Sequence, residues 1–143
     1  MKKVLFWSLP SMCIYFCSCY DITANHQLSI INKTQKDIAV LYSNNISPVA
    51  KKNNVAFYLS DQSITRPDST RDIIRLGGKD AWHNYIEEGK AKKLFLYVFD
   101  TDTLKKYNNV YSMYELVSQH RFFKLLTYSE NYLNKVNWQV TIR

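Results

Sequence analysis

Leu94-Phe95-Leu96-Tyr97-Val98-Phe99 is a run of six consecutive apolar residues, bounded by the polar stretches 90–93 and 100–102. A strand with one face in solvent would alternate apolar and polar residues, whereas a continuous apolar run of this length favours a strand covered on both faces. Alternate residues of a strand point to opposite faces, so both sets of side chains are expected to be buried. The sequence therefore predicts a central strand over residues 94–99.

Segments on both sides of this run supply the remaining predicted elements. Further strands are predicted where β-branched and aromatic residues lie between polar turn residues: 28–31 and 38–42, paired as a β-hairpin across 32–37, then 55–59, 71–76, 121–128 and 138–142. Helices are predicted from Asp80 to Gly89, after a cap within 101–103 with turns that continue irregularly past Asn108-Asn109 into 112–119, and after Ser129. The stretch 60–70 is expected to be a loop. Together these elements predict one α+β domain over residues 28–143, a mostly antiparallel sheet of five or six strands with short helices packed on one face.

The N-terminal residues 1–18 have the order of an export signal. Lys2 and Lys3 precede an apolar stretch over 4–16, which is too short for the roughly 20 residues that span a bilayer and suits a signal-peptide core. The chain of 143 residues has a formal charge of +7, and loss of these two lysines would leave seventeen basic and twelve acidic residues. We therefore expect an exported, moderately basic protein.

The end of the apolar stretch, Phe16-Cys17-Ser18-Cys19, resembles the lipobox of bacterial lipoproteins. The resemblance implies cleavage between Ser18 and Cys19 and acylation of Cys19 by fatty acids such as palmitate, although Phe16 replaces the usual branched aliphatic residue. Residues 19–27 would form the lipidated cysteine and a polar tether. All three cysteines lie at or before position 19, so a domain over 28–143 has none for a disulfide.

The second half of the chain, residues 94–142, is similar to a group of small uncharacterised lipoproteins from Bacteroidales. The resemblance lies in Phe99-Asp100-Thr101-Asp102-Thr103-Leu104 with Tyr107 after the apolar strand, and in Leu133 with Asn137-Trp138 before the last strand. It implies lipid anchoring and a shared mixed fold. These motifs are structural and imply no activity.

Few residues suggest chemistry. His83 and Glu87 lie four apart on one predicted helix face, but a metal site needs a third ligand that neither His26 nor His120 supplies by spacing. Asp100-Thr101-Asp102 lacks the glycine and glutamate of an EF-hand loop and favours a helix cap. The sequence has no phosphate loop, nucleophile elbow or zinc motif, so we predict no catalytic residue, metal or cofactor, and an enzyme has no support.

Aromatic and basic residues leave several binding functions open. Tyr107, Tyr111 and Tyr114 have helical spacing, which favours a buried face over an exposed sugar-stacking surface. Export argues against nucleic acid as the partner of the dispersed lysines, which are expected on a solvated surface. The leading hypothesis is a lipid-anchored, non-enzymatic interaction or accessory protein. The alternatives are a glycan-binding lipoprotein and, more distantly, a small hydrolase.

Two further expectations concern location and modification. Tyr20 and Asp21 after Cys19 offer one acid, short of the acid-rich surface-display tag of the lipoproteins that the chain resembles, so we expect outer-membrane attachment facing the periplasm. Asp68-Ser69-Thr70 resembles an O-glycosylation acceptor of the same bacteria, which would modify Ser69. An ordinary turn after Pro67 is the favoured interpretation.

Overall fold

The computed structural model describes residues 27–48 and 54–143. Their elements are β1 (Leu28–Asn32), β2 (Ile38–Ser43), α1 (Val55–Tyr58), β3 (Ile64–Thr65), β4 (Thr70–Ile73), α2 (Ala81–Glu88), β5 (Leu94–Asp100), α3 (Thr101–Tyr107), α4 (Met113–Ser118), β6 (Lys124–Tyr128), α5 (Glu130–Lys135) and β7 (Gln139–Ile142). Short helices and mostly antiparallel strands confirm the predicted α+β class.

The strands of this described region form two sheets, where the sequence predicted one of five or six strands. One sheet has the order β3-β2-β5-β6, with every pair antiparallel. The other has the order β4-β1-β7, in which β1 is antiparallel to β4 and parallel to β7. The chain therefore closes the smaller sheet by bringing its last strand beside its first.

The predicted hairpin between β1 and β2 is wrong, because the two strands belong to different sheets. Buried Asn32 ends β1, and its side-chain amide donates to the carbonyl oxygens of Lys36 and Thr65, each at 2.8 Å. Its side-chain oxygen accepts from the backbone N–H and hydroxyl of Thr34. These bonds fix a connection that crosses between sheets. The polar composition of 32–37 signalled a turn but not where it leads.

The prediction of a central strand over 94–99 is confirmed. All six residues are buried, and β5 pairs with β2 on one side and β6 on the other. Its two faces belong to different cores. Leu94, Leu96 and Val98 lie in an inter-sheet core with residues of β1, β4 and β7, whereas Phe95, Tyr97 and Phe99 lie in a helix-covered core.

The helices divide between these two cores. Residues of α1, α3 and α4 cover the outer face of the larger sheet, as predicted for helices on one face. Trp82 and Ile86 of α2 and Leu133 of α5 instead join the inter-sheet core. None of the helices within residues 27–48 and 54–143 is long and apolar enough to cross a membrane.

Three predicted boundaries need correction. Residues 55–59 were expected to be a strand, but Val55–Tyr58 is helical, because the side chain of Asn54 accepts from the backbone N–H of Ala56 and starts a helical turn. The predicted loop 60–70 contains the short strand β3 and the first residue of β4. The predicted strand 71–76 ends at Ile73, since the following residues leave the sheet.

Gly89 ends α2 as predicted, for a different reason than expected. A helix C-terminal glycine commonly adopts a positive φ, whereas Gly89 has a φ of −73°. A Cβ atom at this position would lie 2.2 Å from the backbone oxygen of Asn44. Glycine is therefore required by the close approach of α2 to the end of β2.

Candidate edge groove

A groove of about 490 Å³ lies between the C-terminal half of β2 and the segment from β4 to Arg75. Tyr58 of α1 and Tyr85 of α2 also line it. We call this feature the edge groove, since the edges of two sheets border it. Its volume falls within the roughly 300–1,000 Å³ that is usual for small-molecule sites.

The edge groove exists because strand pairing stops early. β3 pairs only with Ile38 and Ala39 of β2, and β4 is the terminal strand of its own sheet. No described strand continues along the outer edge of residues 40–43 of β2. Unpaired strand edges expose backbone donors and acceptors, so they offer hydrogen bonds that a closed sheet would use internally.

Three tyrosines from separate elements converge on the edge groove. The ring centroids of Tyr42 and Tyr85 are 5.6 Å apart in an edge-to-face arrangement. Burial, together with the neighbouring Tyr42, raises the pKa of Tyr58 to about 12. Burial also raises the pKa of Tyr85. Tyr58 and Tyr85 therefore stay protonated near neutral pH, and their hydroxyls can both donate and accept hydrogen bonds.

Two arginines give the edge groove positive charge. Nη1 of Arg71 donates to the backbone oxygen of Ser63 at 3.0 Å, and burial lowers the pKa of Arg71. The guanidinium carbon of Arg75 lies 3.7 Å from the centre of the Tyr85 ring. Within the described part of the chain, neither arginine has a carboxylate at ion-pair distance. Asp72 also lines the edge groove, and its carboxylate accepts from the hydroxyl of Ser29 at 2.6 Å.

Backbone and amide groups extend the polar lining at the end of β2. The backbone N–H of Asn44 donates to the hydroxyl of Tyr85 at 3.2 Å, and the Asn44 amide donates to the Tyr85 backbone oxygen at 2.8 Å. The amide of Asn45 donates to the side-chain oxygen of Asn44. This network fixes Tyr85 and hence the position of the arginine that stacks on it.

The histidines lie outside the edge groove. Nδ1 of His83 is 2.9 Å from the carboxylate of Glu130 on α5, and this hydrogen bond raises the pKa of His83. Glu87, which the sequence analysis considered with His83 as a possible pair of metal ligands, makes an ion pair with Lys92 instead. His120 packs against the ring of Phe122. No three His, Cys, Asp or Glu side chains in the described ranges come together as a metal site.

The three tyrosines with helical spacing in the sequence, Tyr107, Tyr111 and Tyr114, have different environments in the structure. Tyr107 and Tyr111 pack against the helix-covered core, as favoured, with ring centroids 5.5 Å apart. Tyr114 is 41% exposed. The helix α3 ends at Tyr107, and Asn109 has a φ of 64°, so the three residues do not share one helix.

The remaining sequence-predicted residues have local structural roles or lie outside the described residues. Asp100, rather than one of residues 101–103, caps α3 by accepting from the backbone N–H of Thr103. The hydroxyl of Ser69 donates to the backbone oxygen of Arg66 at 2.7 Å, and Asp68 has a φ of 55°, so this segment forms the favoured turn. Ser18, Cys19 and His26 are outside the described residues.

Sequence reasoning missed the residues of the edge groove. Tyr42, Tyr58 and Tyr85 lie on a strand and two helices, and no spacing rule connects them. Arg71 and Arg75 stand four apart around the end of β4, a weak signal that has meaning only beside these tyrosines. Comparisons of the chain with protein-family models, with curated proteins and with solved structures found no match.

Proposed function

We propose that this protein is a lipid-anchored, non-enzymatic binding protein of the bacterial cell envelope, and that the edge groove is its ligand site. The single observation that carries the binding function is the convergence of three tyrosines and two arginines, neither arginine with a carboxylate at ion-pair distance, in one groove of the described structure. Protonated phenols and guanidinium groups hold ligands by hydrogen bonds and charge. They are poorly suited to accepting a proton at neutral pH, which favours binding over hydrolysis.

The envelope location rests on the N-terminal sequence. Residues 1–18 have the order of an export signal, and Ser18-Cys19 has the small residue and cysteine of a lipobox. Stable attachment takes more than one acyl chain, and bacterial lipoproteins usually carry two or three. The domain would then stand on the outer membrane, facing the periplasm, at the end of the 19–27 tether.

Glycan binding is the second candidate function, and one observation favours it. Tyrosine rings and asparagine amides line the edge groove together, with Phe57 at its rim 57% exposed. Aromatic faces can cover the apolar side of a sugar ring, while amides and hydroxyls bond its hydroxyl groups. Glycan binding is thus the alternative to the leading proposal of an interaction or accessory protein.

Site-specific photo-crosslinking in the native host tests the ligand site. A photoreactive residue replacing Ile74, which lines the edge groove and is 52% exposed, should capture a discrete product. The matched control replaces Phe123, which is 53% exposed and precedes β6 on the far side of β5. Identical products at both positions, or none at Ile74, would contradict a ligand site in the edge groove.

Replacing the lipobox cysteine tests the anchor. Cys19→Ala should abolish fatty-acid labelling and leave the protein either uncleaved or released from the membrane. Cys17→Ala is the matched control, because Cys17 follows bulky Phe16 and should not be acylated. Membrane retention with unchanged lipid labelling in Cys19→Ala would refute the assignment.

Protease treatment of intact cells tests the orientation, and peptide mass tests Ser69. A domain facing the periplasm should resist digestion until the cells are lysed, so complete digestion of intact cells would refute this orientation.

If Ser69 is glycosylated, its peptide should carry added mass that Ser69→Ala removes. A fully unmodified peptide would leave Ser69 with its turn role alone.

A further inference from the structure

Among the described residues, the two arginines of the edge groove have no carboxylate at ion-pair distance. Arg71 is half-buried, so its charge is partly removed from water, and burial lowers its pKa. A partly desolvated charge is costly unless an opposite charge or several hydrogen bonds compensate it. Within the described residues, Arg71 has the single bond to the Ser63 backbone, and Arg75 has the aromatic ring. With Arg71 and Arg75 against the single acid Asp72, the lining of this site has a net positive charge and is complementary to an anion.

The two guanidinium groups are held in place before any ligand arrives. Each carries five N–H donors in a planar arrangement that matches a carboxylate or phosphate. Arg75 lies over the ring of Tyr85, and Tyr85 is itself fixed by its bond to Asn44. Such preorganisation reduces the entropy that binding would otherwise cost.

Resting on the proposed binding function of the edge groove, we propose that its ligand is an acidic saccharide. The carboxylate or phosphate of the sugar is held by Arg71 and Arg75. The hydroxyls of Tyr42, Tyr58 and Tyr85 and the amide of Asn45 bond the ring hydroxyls. Phe57 at the rim covers the apolar face of a neighbouring ring.

The lining favours a saccharide over an extended peptide. A peptide added to β2 would need a long free edge, but the unpaired outer edge covers only residues 40–43. Directly after it, the backbone N–H of Asn44 already bonds the Tyr85 hydroxyl. Strand addition also gains specificity from pockets for alternate side chains. The edge groove instead presents phenols, amides and guanidinium groups, which suit a ligand rich in hydroxyls.

Calorimetric binding to the full chain, purified in detergent, tests the proposal. The probes are trigalacturonate, its neutral carboxyl-reduced counterpart, galactose 1-phosphate and an acidic peptide. At least one acidic sugar should bind at least tenfold more tightly than the neutral trisaccharide. Raised salt should weaken that binding, because part of it is electrostatic. Comparing trigalacturonate with galactose 1-phosphate distinguishes a carboxylate from a phosphate.

Variants locate the binding site. Arg75→Gln should weaken acidic-sugar binding at least tenfold. Arg121→Gln is the matched control, since Arg121 also lies over a tyrosine ring, that of Tyr107, but outside the edge groove. Arg71→Lys keeps the charge but loses the planar donor array, and should weaken binding severalfold. Thermal melting of each variant separates lost binding from lost folding.

The results can overturn the acidic-saccharide ligand without overturning the binding function of the edge groove. Equal binding of the neutral trisaccharide, tighter binding of the peptide, or an unchanged affinity in Arg75→Gln would each overturn the acidic-saccharide ligand. Absence of binding by all four probes would overturn it as well. The binding function would still stand if the photoreactive residue at position 74 captures its product. It would fall if that photo-crosslinking experiment fails.

Discussion

The strands β5 and β2 are neighbours in one sheet but differ in how completely they are paired. β5 has a strand on each side, and both its faces are covered. β2 has β5 along its whole length, but on its other side β3 meets only its first two residues. Where a strand has a neighbour on both sides, as β5 has, its side chains belong to the hydrophobic cores. Where it stops, tyrosines, arginines and backbone edges border a groove.

This difference implies a division of roles along the same sheet. Residues around β5 should matter for folding, since substitutions there leave cavities or unpaired polar groups. The arginines of the edge groove should matter for binding and little for folding, whereas its tyrosines also pack against the two cores. The four predictions below test this division through the free energy of unfolding, measured by urea denaturation, and through one titration.

The largest effects are expected in β5. Leu96→Ala and Phe99→Ala should each reduce the free energy of unfolding by about 2–5 kcal/mol, because both side chains are fully buried, one in each core. Leu76→Ala is the control, since Leu76 is 83% exposed. A loss below about 1 kcal/mol at both core sites would mean that β5 is not the centre of the fold.

A smaller effect is expected at the connection between the sheets. Asn32→Ala should cost about 1–3 kcal/mol, because it leaves the Thr65 carbonyl and the Thr34 N–H without their buried partner. Asn131→Ala, at an exposed position of α5, should change stability by less than about 0.5 kcal/mol. Equal effects of the two variants would show that the connection depends on other contacts.

In the edge groove, the expected cost is smaller still. Arg75→Gln removes a cation over the Tyr85 ring, an interaction that contributes on the order of 1 kcal/mol at a partly exposed site. Arg121→Gln, with a longer distance of 5.3 Å to the Tyr107 ring, should cost no more. A loss at Arg75 as large as that at Asn32 would contradict the division between folding and binding residues.

The smallest effect is expected from pH, through the contact of His83 with Glu130. The hydrogen bond raises the folded pKa of His83 above its ordinary value of 6.5. The stabilisation is therefore fully present below pH 6.5, while Glu130 is ionised, and is lost as pH rises through the raised pKa. Both side chains reach solvent, so the effect on stability should be slight.

An NMR titration of the His83 ring measures this pKa directly. Glu130→Gln should return it towards 6.5, whereas Glu87→Gln should change it much less, because Glu87 acts on His83 only through weaker Coulombic attraction. Equal shifts in the two variants would contradict the contact between α2 and α5. Because α2 also carries Tyr85, the same titration probes a contact of the helix that lines the edge groove.

The sequence alone predicted those helices and strands that depend on residues close together in the chain. The apolar run of β5 requires cover on both faces wherever it lies, and Ser129 caps α5 through a bond to the backbone of Tyr132 three residues later. The choice of Asp80 as the start of α2 was right in position, although its side chain makes no capping bond. Such features depend on neighbours within a turn or two, which the sequence states directly.

Only the tertiary structure decided which segments meet. β1 and β2 are both apolar and close in the chain, yet each pairs with a strand distant in the chain, β1 with β7 and β2 with β5. The edge groove follows from that choice, because it brings Tyr42, Tyr58 and Tyr85 together from separate elements and leaves Arg71 and Arg75 beside them. Which strands pair depends on the burial of apolar surface in the whole molecule, and a local sequence pattern does not contain that information.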